Sequence, residues 1–133
     1  MDYRRQTGKE LIEKELTNEI LRAAIEVHRV LGPGLLESVY EQCMCRELQL
    51  RNIPYQCQQP IPLLYKGDPV EAGFRADLIV ADKVVVEIKA VDTLLGVHEA
   101  QLLTYLRLTG KRVGLLINFN VPMLKEGIRR KVL

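Results

Sequence analysis

The stretch FRADLIVADKVVVEIKA, residues 74–90, decides how this chain is read. Two runs of β-branched and aliphatic residues flank Ala81-Asp82-Lys83, which predicts two strands around a tight turn. Asp77, Glu87 and Lys89 interrupt that apolar pattern. Alternate residues of a strand share a face, so Glu87 and Lys89 point one way while Val86 and Ile88 point the other. The length of the turn decides where Asp77 goes. A three-residue loop, Ala81-Asp82-Lys83, pairs Val80 with Val84 and carries Asp77 opposite Glu87. A two-residue loop, Asp82-Lys83, sends Asp77 to the other face and breaks the constellation.

With the longer loop, two carboxylates lie about 5 Å apart across the strands, with an ammonium beside them. Like charges that close repel and raise one pKa unless a cation sits between them. A hard divalent ion suits that position, taking carboxylate, backbone carbonyl and water oxygens as ligands. Lys89 could then hold or deprotonate an attacking water, a combination suited to phosphodiester hydrolysis. The plainer alternative is a cross-strand ion pair of Lys89 with Asp77 or Glu87 on a half-exposed face, where such pairs contribute little. The runs LIV and VVVEI are apolar on both faces, however, which predicts a covered sheet where unpaired charge is costly.

Outward from this hairpin the chain reads as a single unit without repeats or linkers. Ile20, Leu21, Ala24, Val27 and Leu31 fall on one helical stripe from Thr17 to Leu31, with Thr17 or Asn18 as the N-cap. The run Gly32-Pro33-Gly34 stops that helix, Gly32 by a left-handed cap and Pro33 because it cannot continue the ladder. A second helix is expected from about Leu35 to Arg51, with Asn52 at its C-terminal end. Pro60 and Pro62 make YQCQQPIPLLY an edge or irregular strand, and Lys66-Gly67-Asp68 supplies a turn. Gly73 suggests a bulge or close approach at the start of the next strand. HEAQLLTYLRL, residues 98–108, is helical, burying Ala100, Leu103 and Leu106 or else Leu102, Tyr105 and Leu106. Gly110 ends it, KRVGLLINF forms a strand, and a last helix is expected from about Pro122 to Arg130. The order is α-α-β-β-β-α-β-α, an α/β (α+β) class with a central mixed sheet flanked by helices.

Composition narrows the function. With 133 residues, 47% of them hydrophobic, the chain suits one domain with an ordinary core. Residues 1–16 read as an extension and 17–133 as the domain. No apolar run reaches the ~18 residues that span a bilayer, and the first twenty residues lack the apolar centre of a signal peptide. A cytoplasmic protein is expected. Cys43, Cys45 and Cys57 are odd in number and predict reduced thiols that pack. A formal net charge of +2 argues against non-specific coating of nucleic acid. Arg75, Lys111 and Arg112 are the cations that could steer a phosphate backbone.

At Asp77 and Glu87-Ile88-Lys89 the chain resembles the PD-(D/E)XK nuclease superfamily, with RAD standing where the Pro of that name would be. GLLESVY, residues 34–40, is similar to the GxxExxY signature of a small family within it. The blocks EVHRVLGPGLLESVYE, FRADLIV, VVVEIKAV, HEAQLLTYL and KRVGLLINFNVP extend the resemblance over about residues 15–133. The resemblance implies a restriction-endonuclease-like core and a nuclease acting on nucleic acid, with DNA the expected substrate. It implies Mg²⁺ or Mn²⁺ on Asp77, Glu87 and Glu37, with the backbone carbonyl of Ile88. Lys89 would position the water. Gln101 and Tyr105 would match the Q-x-x-x-Y of the RecB-like exonuclease branch, and their spacing puts both on one helix face.

Each of these has an ordinary reading. Glu37 is a first-turn carboxylate favoured by the helix dipole, Gln101 an exposed amide and Tyr105 a core ring. His98 is expected to cap its helix, His28 to be structural, and Gly34 and Tyr40 to serve packing with the Tyr40 hydroxyl near the site. Two other functions fit the same residues: a non-catalytic nucleic-acid-binding or assembly module, and a phosphoesterase acting on a small nucleotide. A domain this small would need a homodimer to span a duplex.

Overall fold

The computed structural model describes residues 12–71 and 73–133. The extension expected over residues 1–16 falls largely on 1–11, outside the described residues.

The first helix among the described residues, α1, runs Lys14–Leu31. It starts a turn before Thr17, which is therefore a buried interior residue and not the cap. Thr17, Ile20, Ala23, Ala24 and Val27 form its buried stripe. Gly32 ends it at φ 68° and ψ −176°, a pairing only glycine holds without strain, in place of the left-handed cap expected. The second helix, α2, is Glu37–Leu50 and buries Tyr40, Met44 and Leu48. Asn52 follows it at φ 58°, the C-terminal position read for it.

Seven strands follow among the described residues. They are β1 Tyr55–Pro60, β2 Leu63–Tyr65, β3 Asp68–Val70, β4 Arg75–Val80, β5 Val84–Lys89, β6 Val113–Asn118 and β7 Ile128–Val132. A third helix, α3, spans Gly96–Thr109 between β5 and β6. The main sheet has five strands in the order β1-β4-β5-β6-β7. β5 and β6 run parallel and the other neighbours antiparallel. The proline-bearing β1 takes an edge, where the N–H that Pro60 lacks is easily spared. β2 and β3 form a separate hairpin around the Lys66-Gly67 turn.

The sheet is covered on both faces. On one, α1 and α2 pack over Leu78, Val80, Val84, Val86, Ile88 and the inward residues of β6. On the other, α3 packs over Ile79, Val85 and Leu116, using Leu102, Tyr105 and Leu106. That is the second of the two faces anticipated for this helix. Gly114 permits the approach, since a Cβ there would stand 2.7 Å from Leu102 Cδ1. Two-sided burial explains the continuous apolar runs of β4 and β5.

The C-terminal helix expected over Pro122–Arg130 is not formed. A single 3-10 turn, Leu124–Gly127, leads into β7. β7 pairs with the free edge of β6, from Ile117↔Ile128 to Val113↔Val132. Ile128 and Val132 lie against the apolar core with the two-residue period of a strand. Gly127 makes the entry possible: a Cβ there would meet the Asn118 carbonyl oxygen at 2.1 Å. Satisfying β6's backbone outweighs the helical propensity of the short segment.

Candidate active site

The β4–β5 turn is the three-residue loop. Val80 pairs with Val84 and Leu78 with Val86, and Ala81 and Asp82 take φ 52° and 57° to close it. The ladder stops at Leu78↔Val86. Beyond it the strands are joined through side chains. Asp77 N–H donates to Glu87 Oε2 at 2.7 Å, and Ile88 N–H donates to Asp77 Oδ2 at 2.8 Å. Each carboxylate thus takes a backbone donor from the opposite strand and holds the strands together where the ladder ends.

Burial sets the electrostatics. Glu87 is 3% exposed and Asp77 half-buried. Desolvation, with Asp77's charge next, pushes the Glu87 carboxyl up to about 8. The Asp77 N–H and Lys89 oppose the rise, and Glu37 adds to it. Desolvation also raises Asp77, against the Ile88 N–H, the Lys89 charge and the Gln58 amide. Lys89, half-exposed at the end of β5, therefore acts on both carboxylates. Two adjacent carboxylates, one buried and one half-buried, that resist ionisation are a donor set that a hard divalent cation fits, because the cation replaces the missing solvation. Among the described residues, no three His, Cys, Asp or Glu side chains are gathered into a metal cage.

Tyr105 sits 5% exposed on α3, its hydroxyl raised by burial and then by Glu87 and Asp77. Its ring lies 6.2 Å from that of Phe74. Gln101 is half-buried one turn earlier on the same helix. Glu37 is the exposed first residue of α2, near enough for its charge to reach Glu87. Its turn is fixed by Tyr40, whose hydroxyl donates to Gly32 O at 2.6 Å and accepts the Leu35 N–H at 3.2 Å. The Tyr40 ring stacks on Phe119 at 4.7 Å. The hydroxyl thus serves the Gly-Pro-Gly turn.

His98 Nδ1 accepts the Leu95 N–H at 2.9 Å, the capping role read for it. His28 Nε2 is bonded to the Val121 carbonyl at 2.8 Å, a structural contact. Asn118, 2% exposed, clamps the segment after Lys89 by two bonds to the Val91 backbone, at 3.0 and 2.8 Å.

The cations divide between the two ends of the sheet. Arg75 is exposed two residues before Asp77. Lys111 and Arg112 precede Val113, which pairs with Val84 in the parallel ladder, while Lys89 pairs with Asn118 at the far end. At ~3.3 Å per residue that separation is roughly 17 Å. Lys111 is bonded to Asp82 at 2.8 Å and Arg112 to the Leu133 carbonyl at 3.2 Å. Of the steering cations anticipated, only Arg75 lies at the carboxylate end of the sheet, two residues from Asp77, and its guanidinium donates to the Gln58 carbonyl at 3.4 Å.

Two residues join the site that the sequence did not single out. Glu41 lies one helical turn after Glu37, and its carboxylate accepts from Gln58 Nε2 at 2.6 Å. The same amide reaches Asp77 Oδ1 at 3.4 Å. Glu41 was detectable from its i, i+4 spacing to Glu37. Gln58, a glutamine in a proline-bearing strand, carried no signal.

Searches of the curated proteins and of the solved structures found no match. The sequence model of the PD-(D/E)XK nuclease superfamily matches residues 14–131, from the start of α1 into β7, and the chain belongs to that superfamily.

Proposed function

We propose that this protein is a divalent-metal-dependent nuclease that hydrolyses phosphodiester bonds, with DNA as its substrate. Membership of the superfamily supports a nuclease-like function. The observation that carries the rest is the Asp77–Glu87 pair, a buried and a half-buried carboxylate cross-linked to each other's strands and both acted on by the charge of Lys89. A surface ion pair has no use for such burial, which costs stability unless a cation compensates it.

Asp77 and Glu87 would hold Mg²⁺ or Mn²⁺, with Glu37 and the carbonyl of Ile88 completing the set. A bound ion of this kind polarises a phosphoryl oxygen and lowers the pKa of its water. Lys89 holds the attacking water by its ammonium and offsets charge gathering on the phosphorus oxygens. Gln101 orients the same water or a phosphate oxygen, and Tyr105 contacts the nucleic acid from α3. Arg75 offers a cation to the neighbouring phosphate.

The test needs no assumption about sequence preference. A calorimetric Mn²⁺ titration of wild type beside Glu87→Ala should show saturable binding lost in the variant. Mg²⁺-dependent cleavage of single- and double-stranded DNA should follow the same pattern. No Mn²⁺ binding by wild type, with or without DNA, would instead favour a nucleic-acid-binding module that has kept the fold.

A further inference from the structure

Gln58 is an unusual residue in β1. Its φ is 49°, in the left-handed region, although it is neither glycine nor asparagine and lies inside a strand. A left-handed backbone is costly for an L-residue, whose Cβ crowds the following carbonyl oxygen. The register does not shift there: Cys57↔Leu78 precedes it and Gln59↔Ala76 follows in step, with no pair formed between Gln58 and Asp77 themselves. The kink is local, and it faces Asp77.

The side chain accounts for the conformation. Gln58 Nε2 donates to Glu41 Oε1 at 2.6 Å and to Asp77 Oδ1 at 3.4 Å. The short bond anchors the amide on α2, and the long one lays it against Asp77. The other Asp77 oxygen, Oδ2, takes the Ile88 N–H at 2.8 Å. The carboxylate is therefore oriented from both neighbouring strands, by a backbone donor from β5 and a side-chain donor from β1.

We propose that Gln58 is a positioning residue for Asp77, a neutral strut anchored on Glu41 that fixes the carboxylate in the plane from which it holds a divalent cation. The inference rests on the function proposed above, since it concerns how that site is preorganised. Partners that orient a ligating carboxylate typically contribute about 10–100-fold to metal affinity. Local strain retained beside such a group is in keeping with that role.

The experiment is an Mn²⁺ titration by calorimetry of wild type, Gln58→Gly, Gln58→Asn, Glu41→Gln and the Gln58→Gly/Glu41→Gln double variant, with thermal unfolding of each. Glycine relaxes the left-handed backbone, so Gln58→Gly should unfold at an equal or higher temperature than wild type. It should nonetheless bind Mn²⁺ about 10–100-fold more weakly. Gln58→Asn, which tolerates the same φ but has a side chain too short to span Glu41 and Asp77, should lose a similar factor. Glu41→Gln should lose less, and the double variant should be no weaker than Gln58→Gly alone, because Glu41 acts through the amide. Wild-type affinity in both Gln58 variants overturns the inference and leaves the proposed function standing. Additive losses in the double variant also overturn it, because Glu41 then acts on the ion directly. Absence of Mn²⁺ binding by wild type, with or without DNA, removes the proposed function, and this inference with it.

Discussion

Asp77 and Glu87 hold each other's strands: the Asp77 N–H bonds the Glu87 carboxylate at 2.7 Å, and the Asp77 carboxylate takes the N–H that follows Glu87, that of Ile88, at 2.8 Å. The two acids are thus structural where the ladder ends and chemically available beyond it. One oxygen of each is committed to a backbone donor. Their burial makes the site's charge state sensitive to what occupies it.

The first consequence concerns pH. The Glu87 carboxyl is raised from an ordinary 4.5 to about 8, chiefly by desolvation. A group raised in the folded state contributes stability that is fully present below its unfolded pKa and lost as pH rises through the folded one. Chelator-treated wild type should therefore match Glu87→Gln at about pH 4.5 and fall progressively behind it up to about pH 9. Asp77 and Glu41 are raised as well and act in the same direction in both proteins. Urea unfolding across that range measures the difference. With Mn²⁺ present the order should reverse, since the ion binds the ionised carboxylates of wild type.

Lys89 carries the second prediction. Its charge lowers both Asp77 and Glu87, yet it is half-exposed at a strand end and not part of the core. Lys89→Ala should leave the fold intact by circular dichroism and reduce Mg²⁺-dependent cleavage by about 100-fold or more. Full activity in the variant would remove the role assigned to the ammonium.

Tyr40 supplies a test of how α2 is placed. Tyr40→Phe keeps the stack on Phe119 but deletes the bonds to Gly32 O and from Leu35 N–H. A loss of about 1 kcal/mol in urea unfolding is expected. The Leu35 amide should exchange with solvent faster, because the turn that precedes Glu37 has lost its pin.

Thr17 points the other way. Its hydroxyl is buried without a hydrogen-bond partner among the described residues. Thr17→Val keeps the shape and removes the unsatisfied group, which should stabilise the protein by about 1 kcal/mol. A raised urea midpoint at unchanged slope would confirm it.

Much of this was legible in residues 74–90. The two strands of the β4–β5 hairpin followed from their apolar runs, but the choice of the three-residue loop over the two-residue one, on which the placing of Asp77 depends, was made by the folded register Val80↔Val84. Local residue type placed Pro60 on an edge strand and Gly110 at the end of α3. Where the pattern was ambiguous, tertiary demands decided. The segment after Pro122 became a strand because β6 had an unpaired edge and Gly127 could pass under the Asn118 carbonyl. Lys111 and Arg112, close to α3 in sequence, lie at the far end of the sheet because β6 runs parallel to β5. Gln58 entered the site through a backbone angle that no propensity announces. The sequence by itself determined which groups are candidates for the chemistry, since periodicity and residue type are local. Only the tertiary structure decided which of them meet, because partners contributed by β1 and α2 depend on how separate elements pack.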